Sequence, residues 1–116
     1  MDPDFDEFLH VPARLAILAL LAPADRADFG FLRDAAETSD SALSKQVSAL
    51  ADAGYVTVEK SRSQGVRRTQ VALTQAGRRA FRRHAAALER IAALARQPEP
   101  PGADAVRSGK GGAGGH

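Results

Sequence analysis

The chain has 116 residues, 44% of them apolar, which supports one small domain with a modest core. Its formal net charge of +2 says little about partners, and the absence of cysteine excludes disulfides, thiolate chemistry and cysteine-ligated metal, zinc fingers included. No apolar run approaches the ~18 residues of a membrane span, and the Met1 to Leu21 region lacks a basic stretch followed by an uninterrupted apolar one, so a cytoplasmic protein without membrane association is expected.

In chain order, residues 2–9 hold four acids, two Phe and Leu9, with Pro3 suited to a first helical position, and predict a short N-terminal helix. The run PARLAILALL, Pro12 to Leu21, is a strong helix former whose Leu15, Ile17, Leu18 and Leu21 offer a broad buried face. Pro23 and the charged stretch after it end that helix, and Phe29 is expected to anchor a short extended segment. A second helix is predicted over about Phe31 to Glu37, with Phe31, Leu32, Ala35 and Ala36 facing inward. Thr38 and Ser39 are N-cap candidates for a third, Asp40 to Ala53, which Gly54 closes with a left-handed cap. Tyr55 to Ser61 and Arg68 to Thr74 then alternate as two strands of one hairpin, joined by a flexible tip over residues 62–68 that carries Arg62, Arg67, Arg68 and one glycine. Thr74 is the expected N-cap of a last helix reaching about Arg96, and the Pro/Gly-rich residues 97–116 read as a disordered tail, leaving 1–96 as the single domain.

Two short helices, a tight turn and a basic hairpin are the layout of a winged helix-turn-helix, a module that presents one helix to the major groove of DNA. On the third helix Leu43, Val47 and Leu50 form an apolar stripe. The opposite face, Ser41, Ala42, Ser44, Lys45 and Ser48, is small and polar, so it can approach base edges and phosphates closely. Ser39 at the helix start and Gln46 complete the DNA-contact candidates there; Lys45 suits a phosphate or a guanine edge, and Gln46 suits adenine or a helix-capping role. Arg62, Arg67 and Arg68 are expected to reach phosphates or the flanking minor groove.

Charge placement agrees. Residues 1–40 carry three Arg against nine Asp or Glu, a balance of −6, whereas residues 41–97 carry eleven Lys or Arg against three, a balance of +8. A basic excess confined to the half with the helix and hairpin fits one positive face for a polyanion.

In the last helix Phe81, His84, Leu88, Ile91 and Ala95 recur at seam spacing and predict a homodimer interface, since a long helix in so small a domain lacks a core wide enough to cover it. Arg78, Arg79, Arg82 and Arg83 form a second basic cluster, for DNA backbone or for the acids Asp2, Asp4, Asp6 and Glu7 of the same or the partner subunit. No spacing of His10, His84 and His116 with Ser or acids resembles a catalytic or metal set, so neither enzyme activity nor a cofactor is expected. His84 is either a packing residue or a pH-responsive or ligand-contacting group.

Four motifs in register resemble the small winged-helix transcriptional regulators related to the MarR and ArsR groups, over about residues 10–95: Arg14-Leu15-Ala16-Ile17-Leu18, Leu43-Ser44-Lys45-Gln46-Val47, Gly54-Tyr55-Val56 and Leu73-Thr74-Gln75-Ala76-Gly77. The resemblance implies a homodimeric, sequence-specific binder of double-stranded DNA, more often a repressor than an activator. Ser41-Ala42 stand where relatives often have Gly-Asn, and Gln46 where they often have His, so no relative's operator transfers to this chain. The cysteine motif of the metal-sensing branch is absent. The expected fold class is α+β, mostly α, with a two-stranded wing and a long C-terminal dimerisation helix. The alternatives are a winged helix that binds an acidic protein surface instead of DNA, and a regulator gated by a small molecule lodged between the last helix and the core.

Overall fold

The computed structural model describes residues 1–102. Four helices and three strands follow in the order α1 (Pro12–Leu21), β1 (Arg26–Asp28), α2 (Phe29–Ala35), α3 (Asp40–Asp52), β2 (Val56–Ser63), β3 (Val66–Leu73) and α4 (Gln75–Ala93), with a last 3₁₀ turn over Leu94–Arg96. The strands form an antiparallel sheet in the order β1-β3-β2, with Arg26 opposite Ala72 and Val56 opposite Leu73.

Helix ends follow local chemistry. Ser39 caps α3 by accepting the Ala42 N–H at 3.1 Å. At the other end Gly54 takes φ +83°, Tyr55 N–H returns to the Leu50 carbonyl and Gly54 N–H to that of Ala51, the paired bonds of a Schellman motif. Thr74 accepts the Gly77 N–H at 2.9 Å to start α4, and its hydroxyl donates to the Gly54 carbonyl at 2.7 Å, which ties the end of α3 to the start of α4. Gly77 is buried there, and a Cβ on it would collide with the Tyr55 carbonyl.

The core gathers Leu9, Ile17, Leu18, Leu21, Leu32, Leu43, Val47, Leu50, Val56, Val71 and Ala80, so the expected stripe of α3 is the one buried. Transfer of such side chains from water, about 1.5–3 kcal/mol each when fully buried, is what holds the small bundle together.

Three expectations are corrected. Residues 2–9 form turns, not a helix: Asp2 accepts the Asp4 N–H at 3.0 Å and Asp6 the Leu9 N–H at 3.2 Å, side-chain bonds that compete with helical ones. Helix α2 begins at Phe29, two residues earlier than expected, and its inward side differs: Phe29 and Leu32 face the core, Ala35 is exposed and Phe31 is 55% exposed. The extended segment lies just before Phe29, as a third strand paired to β3. The hairpin tip is also tighter than expected. The ladder continues to Ser63 opposite Val66, and only Gln64 and Gly65 turn, both with positive φ, the conformation that suits the twist of a two-residue hairpin. Residues 97–102 are in neither helix nor strand, and the rest of the expected tail, 103–116, lies outside the described residues.

Candidate nucleic-acid interface

Burying Leu43, Val47 and Leu50 turns the opposite side of α3 outward. Ser41, Ala42, Ser44, Lys45 and Ser48 are all exposed and form one ridge. Ser39 is exposed too, with its oxygen engaged by the Ala42 N–H and 3.4 Å from the Ser41 hydroxyl. Gln46 departs from this set. It is half-buried on the side toward α1, where its Oε1 accepts from Arg14 Nε at 2.8 Å.

Strand register sorts the wing cations. Opposed residues share a sheet face, so Val56/Leu73, Val58/Val71, Lys60/Thr69 and Arg62/Arg67 lie on one side. Near the base that side is core, through Val56 and Val71; farther out the same side becomes Lys60, Arg62 and Arg67. Lys60 and Thr69 meet Ser44 and Ser48 across a groove of about 450 Å³ between α3 and the wing, floored by Val47 and Val58. Reading helix and wing therefore present one continuous surface. Lys45, Lys60, Arg62 and Arg67 are paired with no carboxylate among the described residues.

Arg68 belongs to the other face. It donates to both Asp28 oxygens at 3.1 and 3.3 Å, Gln70 adds a bond at 3.0 Å, and these hold the Asp28 carboxyl below the usual carboxylate range. Sequence reasoning grouped Arg68 with Arg62 and Arg67 and passed over Lys60 and Thr69. The strand parity that separates them was readable once the hairpin turn is placed at Gln64-Gly65.

The seam expected on α4 divides in the same way. Phe81 packs on the core, Leu88 and Ile91 are half-buried and Ala95 is exposed. His84 is fully buried within its own chain, so it is no surface group for a partner subunit: the N-terminal residues cover it. Of the basic cluster, Arg78 donates to the Ala22 carbonyl at 3.0 Å and pairs with Asp25, while Arg79, Arg82 and Arg83 are exposed. Of the acids near the N-terminus, Asp2 and Asp4 pair with Arg90 instead, which no sequence pattern singled out.

An exposed short-residue helix flanked by a cationic hairpin on one face is the arrangement of a winged helix. The chain belongs to the winged helix DNA-binding domain family, whose model matches residues 13–92. Solved structures agree on the fold. A transcriptional regulator homologue from Pyrococcus horikoshii OT3 superposes with TM-score 0.71 at 24% identity, covering 74% of this chain and 85% of that one. NadR, solved with 4-hydroxyphenylacetate, gives 0.64 at 25% identity, covering 79% of this chain and 65% of its own. A MarR family transcriptional regulator from Silicibacter pomeroyi gives 0.63 at 24%, covering 82% and 62%. The chain thus has the MarR-type winged-helix fold while spanning less than two-thirds of the last two proteins. No curated protein matches it. Among the described residues no helix is long and apolar enough to cross a membrane.

Proposed function

We propose that this protein is a cytoplasmic, sequence-specific transcriptional regulator that binds double-stranded DNA as a homodimer on a pseudo-palindromic operator and acts as a repressor. One observation carries the reading: the exposed ridge Ser41 to Ser48 and the cations Lys60, Arg62 and Arg67, which have no carboxylate partner among the described residues, occupy the same face. The ridge enters the major groove, with Ser44 and Lys45 at base edges or phosphates, and the wing follows the adjoining backbone. Two-fold symmetry sets half-sites about 10 bp apart, or a multiple of that. The dimer forms through the outer flank of α4, where Leu88 and Ile91 are half-buried and Ala95 exposed, without His84.

Selection of bound sequences from a random duplex pool at near-physiological salt tests this; a recovered inverted repeat is the expected result, and unselective recovery refutes it. Replacing Ser44 and Lys45 by Ala should change which sequences are recovered, and an unchanged profile removes them from the reading face.

A small-molecule effector is a second reading with an observation of its own. A groove of about 570 Å³ lies between α1 and the α2–α3 turn, lined by Ala13, Ala16 and Ile17 and bordered by Thr38, Lys45 and Gln46. A ligand there touches the reading helix directly. The complex of NadR with 4-hydroxyphenylacetate supports looking for an organic acid. A thermal-shift screen with such acids should raise the melting temperature in proportion to the logarithm of free ligand once the site saturates.

A further inference from the structure

Residues 2–10 run back across α4 as an arm and end against α1. At its outer end Arg90 holds Asp2 at 2.6 and 3.0 Å and Asp4 at 3.0 Å. At its middle the Asp6 N–H donates to His84 Nδ1 at 3.0 Å, and the Phe5 ring stands edge-on to His84 with centroids 4.9 Å apart. His10 completes a three-ring cluster, 4.9 Å from Phe5 and 5.4 Å from His84. At the inner end Arg14 donates from Nη1 to the Phe8 carbonyl at 2.9 Å and lies 4.3 Å over the Phe8 ring. The same guanidinium donates from Nε to Gln46 on α3. A continuous chain of contacts thus joins a buried imidazole on α4 to the recognition helix.

That chain depends on a neutral His84. Because Nδ1 accepts, the ring proton sits on Nε2, which is buried and has no hydrogen-bond partner among the described residues. Protonation would turn Nδ1 into a donor aimed at the Asp6 N–H and place a charge in a site closed to water. The titratable groups facing His84 are His10 and Asp6, both on the arm. Burial first, then His10, hold the imidazole below its ordinary range, and Asp6 acts the other way. Arg14 of α1 and Arg90 of α4 are committed to the two ends of the arm. The hydrogen bond from Arg90 holds the Asp2 carboxyl down to about 2, so the outer clamp stays ionised while His84 changes charge.

We infer that Arg14 is a positioning residue of the DNA-reading face, and that residues 5–10, held on α4 by neutral His84, form an acid-released strap that keeps it in place. This rests on the DNA-binding reading above. As pH falls the strap loosens, Arg14 loses the Phe8 carbonyl and ring, and Gln46 loses its fixed partner. DNA affinity falls with it.

The test uses the full chain and two readouts between about pH 7.5 and pH 5, a range in which His is the side chain that ordinarily titrates. The first is amide hydrogen exchange of Asp6, Leu9 and His10 relative to α3. The second is affinity for the tightest duplex from the selection. In the wild type the arm should lose protection while α3 keeps it, and affinity should fall about tenfold, within the range by which coupled sites usually affect one another. His84→Asn keeps an oxygen acceptor in the place of Nδ1 and cannot titrate, so both profiles should flatten. Arg14→Ala should flatten the affinity profile alone. Arm protection that ignores pH, or that falls equally in H84N, overturns the inference. Should H84N fail to fold, NMR titration of His84 in the wild type decides: its midpoint must coincide with the loss of arm protection, and separate midpoints overturn the strap. A wild type that binds no duplex at any pH sinks the DNA-binding reading, while exchange in the arm still decides the strap.

Discussion

Removing Arg62 and Arg67 together separates the wing's role in DNA affinity from that of Arg68. Neither Arg62 nor Arg67 has a carboxylate partner among the described residues, whereas Arg68 is held by both oxygens of Asp28. Each phosphate neutralised on duplex DNA contributes about −0.9 to the slope of log affinity against log salt. R62A/R67A should therefore flatten the slope by about 1.8 per bound subunit. Across a fourfold change, from about 50 to 200 mM salt, the advantage of the wild type over the variant should shrink roughly 12-fold per subunit. R68A exchanges an already neutralised pair for a lone carboxylate, so it should lower affinity modestly and leave the slope near that of the wild type. Fluorescence anisotropy with one labelled duplex at five or more salt concentrations reads both quantities. Equal slopes for R62A/R67A and the wild type, or an equal flattening in R68A, would refute the assignment of the two sheet faces.

The other predictions concern the scaffold. Gly77→Ala gains about 1 kcal/mol of helix propensity, but its methyl overlaps backbone, which moves less readily than a side chain; with overpacking at the upper end of about 1–3 kcal/mol, a net loss near 2 kcal/mol is expected in urea denaturation, and an unchanged midpoint would contradict it. Glu37 takes φ +54° in the helix-turn-helix bend, so Glu37→Gly should relieve about 1–2 kcal/mol and give back about 0.4–1 kcal/mol through the freer unfolded chain, a net gain that a lowered melting midpoint would disprove. Stability itself should fall on acidification. His84 in the folded chain titrates below its ordinary 6.5, so the unfolded chain binds more protons there; stability is whole above that pH and declines beneath it, and denaturant midpoints in H84N should show less decline over the same interval.

Local chemistry alone determined helices α1, α3 and α4, the caps of the last two and the inward stripe of α3. A helix start or stop is decided by Ser39, Thr74 or Gly54 within a few residues of itself, and an apolar stripe at Leu43, Val47 and Leu50 has only one direction in which to bury. Four residues take their surroundings from far along the chain, which no local pattern supplies. Phe31 lies outward on α2, which follows directly on the β1 strand paired to β3. Arg68 met Asp28, forty positions earlier. Gln46 was turned aside by Arg14, and His84 was sealed by residues 5–10. Each outcome depends on a contact between segments that no periodicity links. The sequence by itself thus specified a helix with a small polar face and a basic hairpin beside it. Only the tertiary structure decided which cations share that face and which side chains the N-terminal arm commits elsewhere, because charge pairing and burial are settled by distance in space.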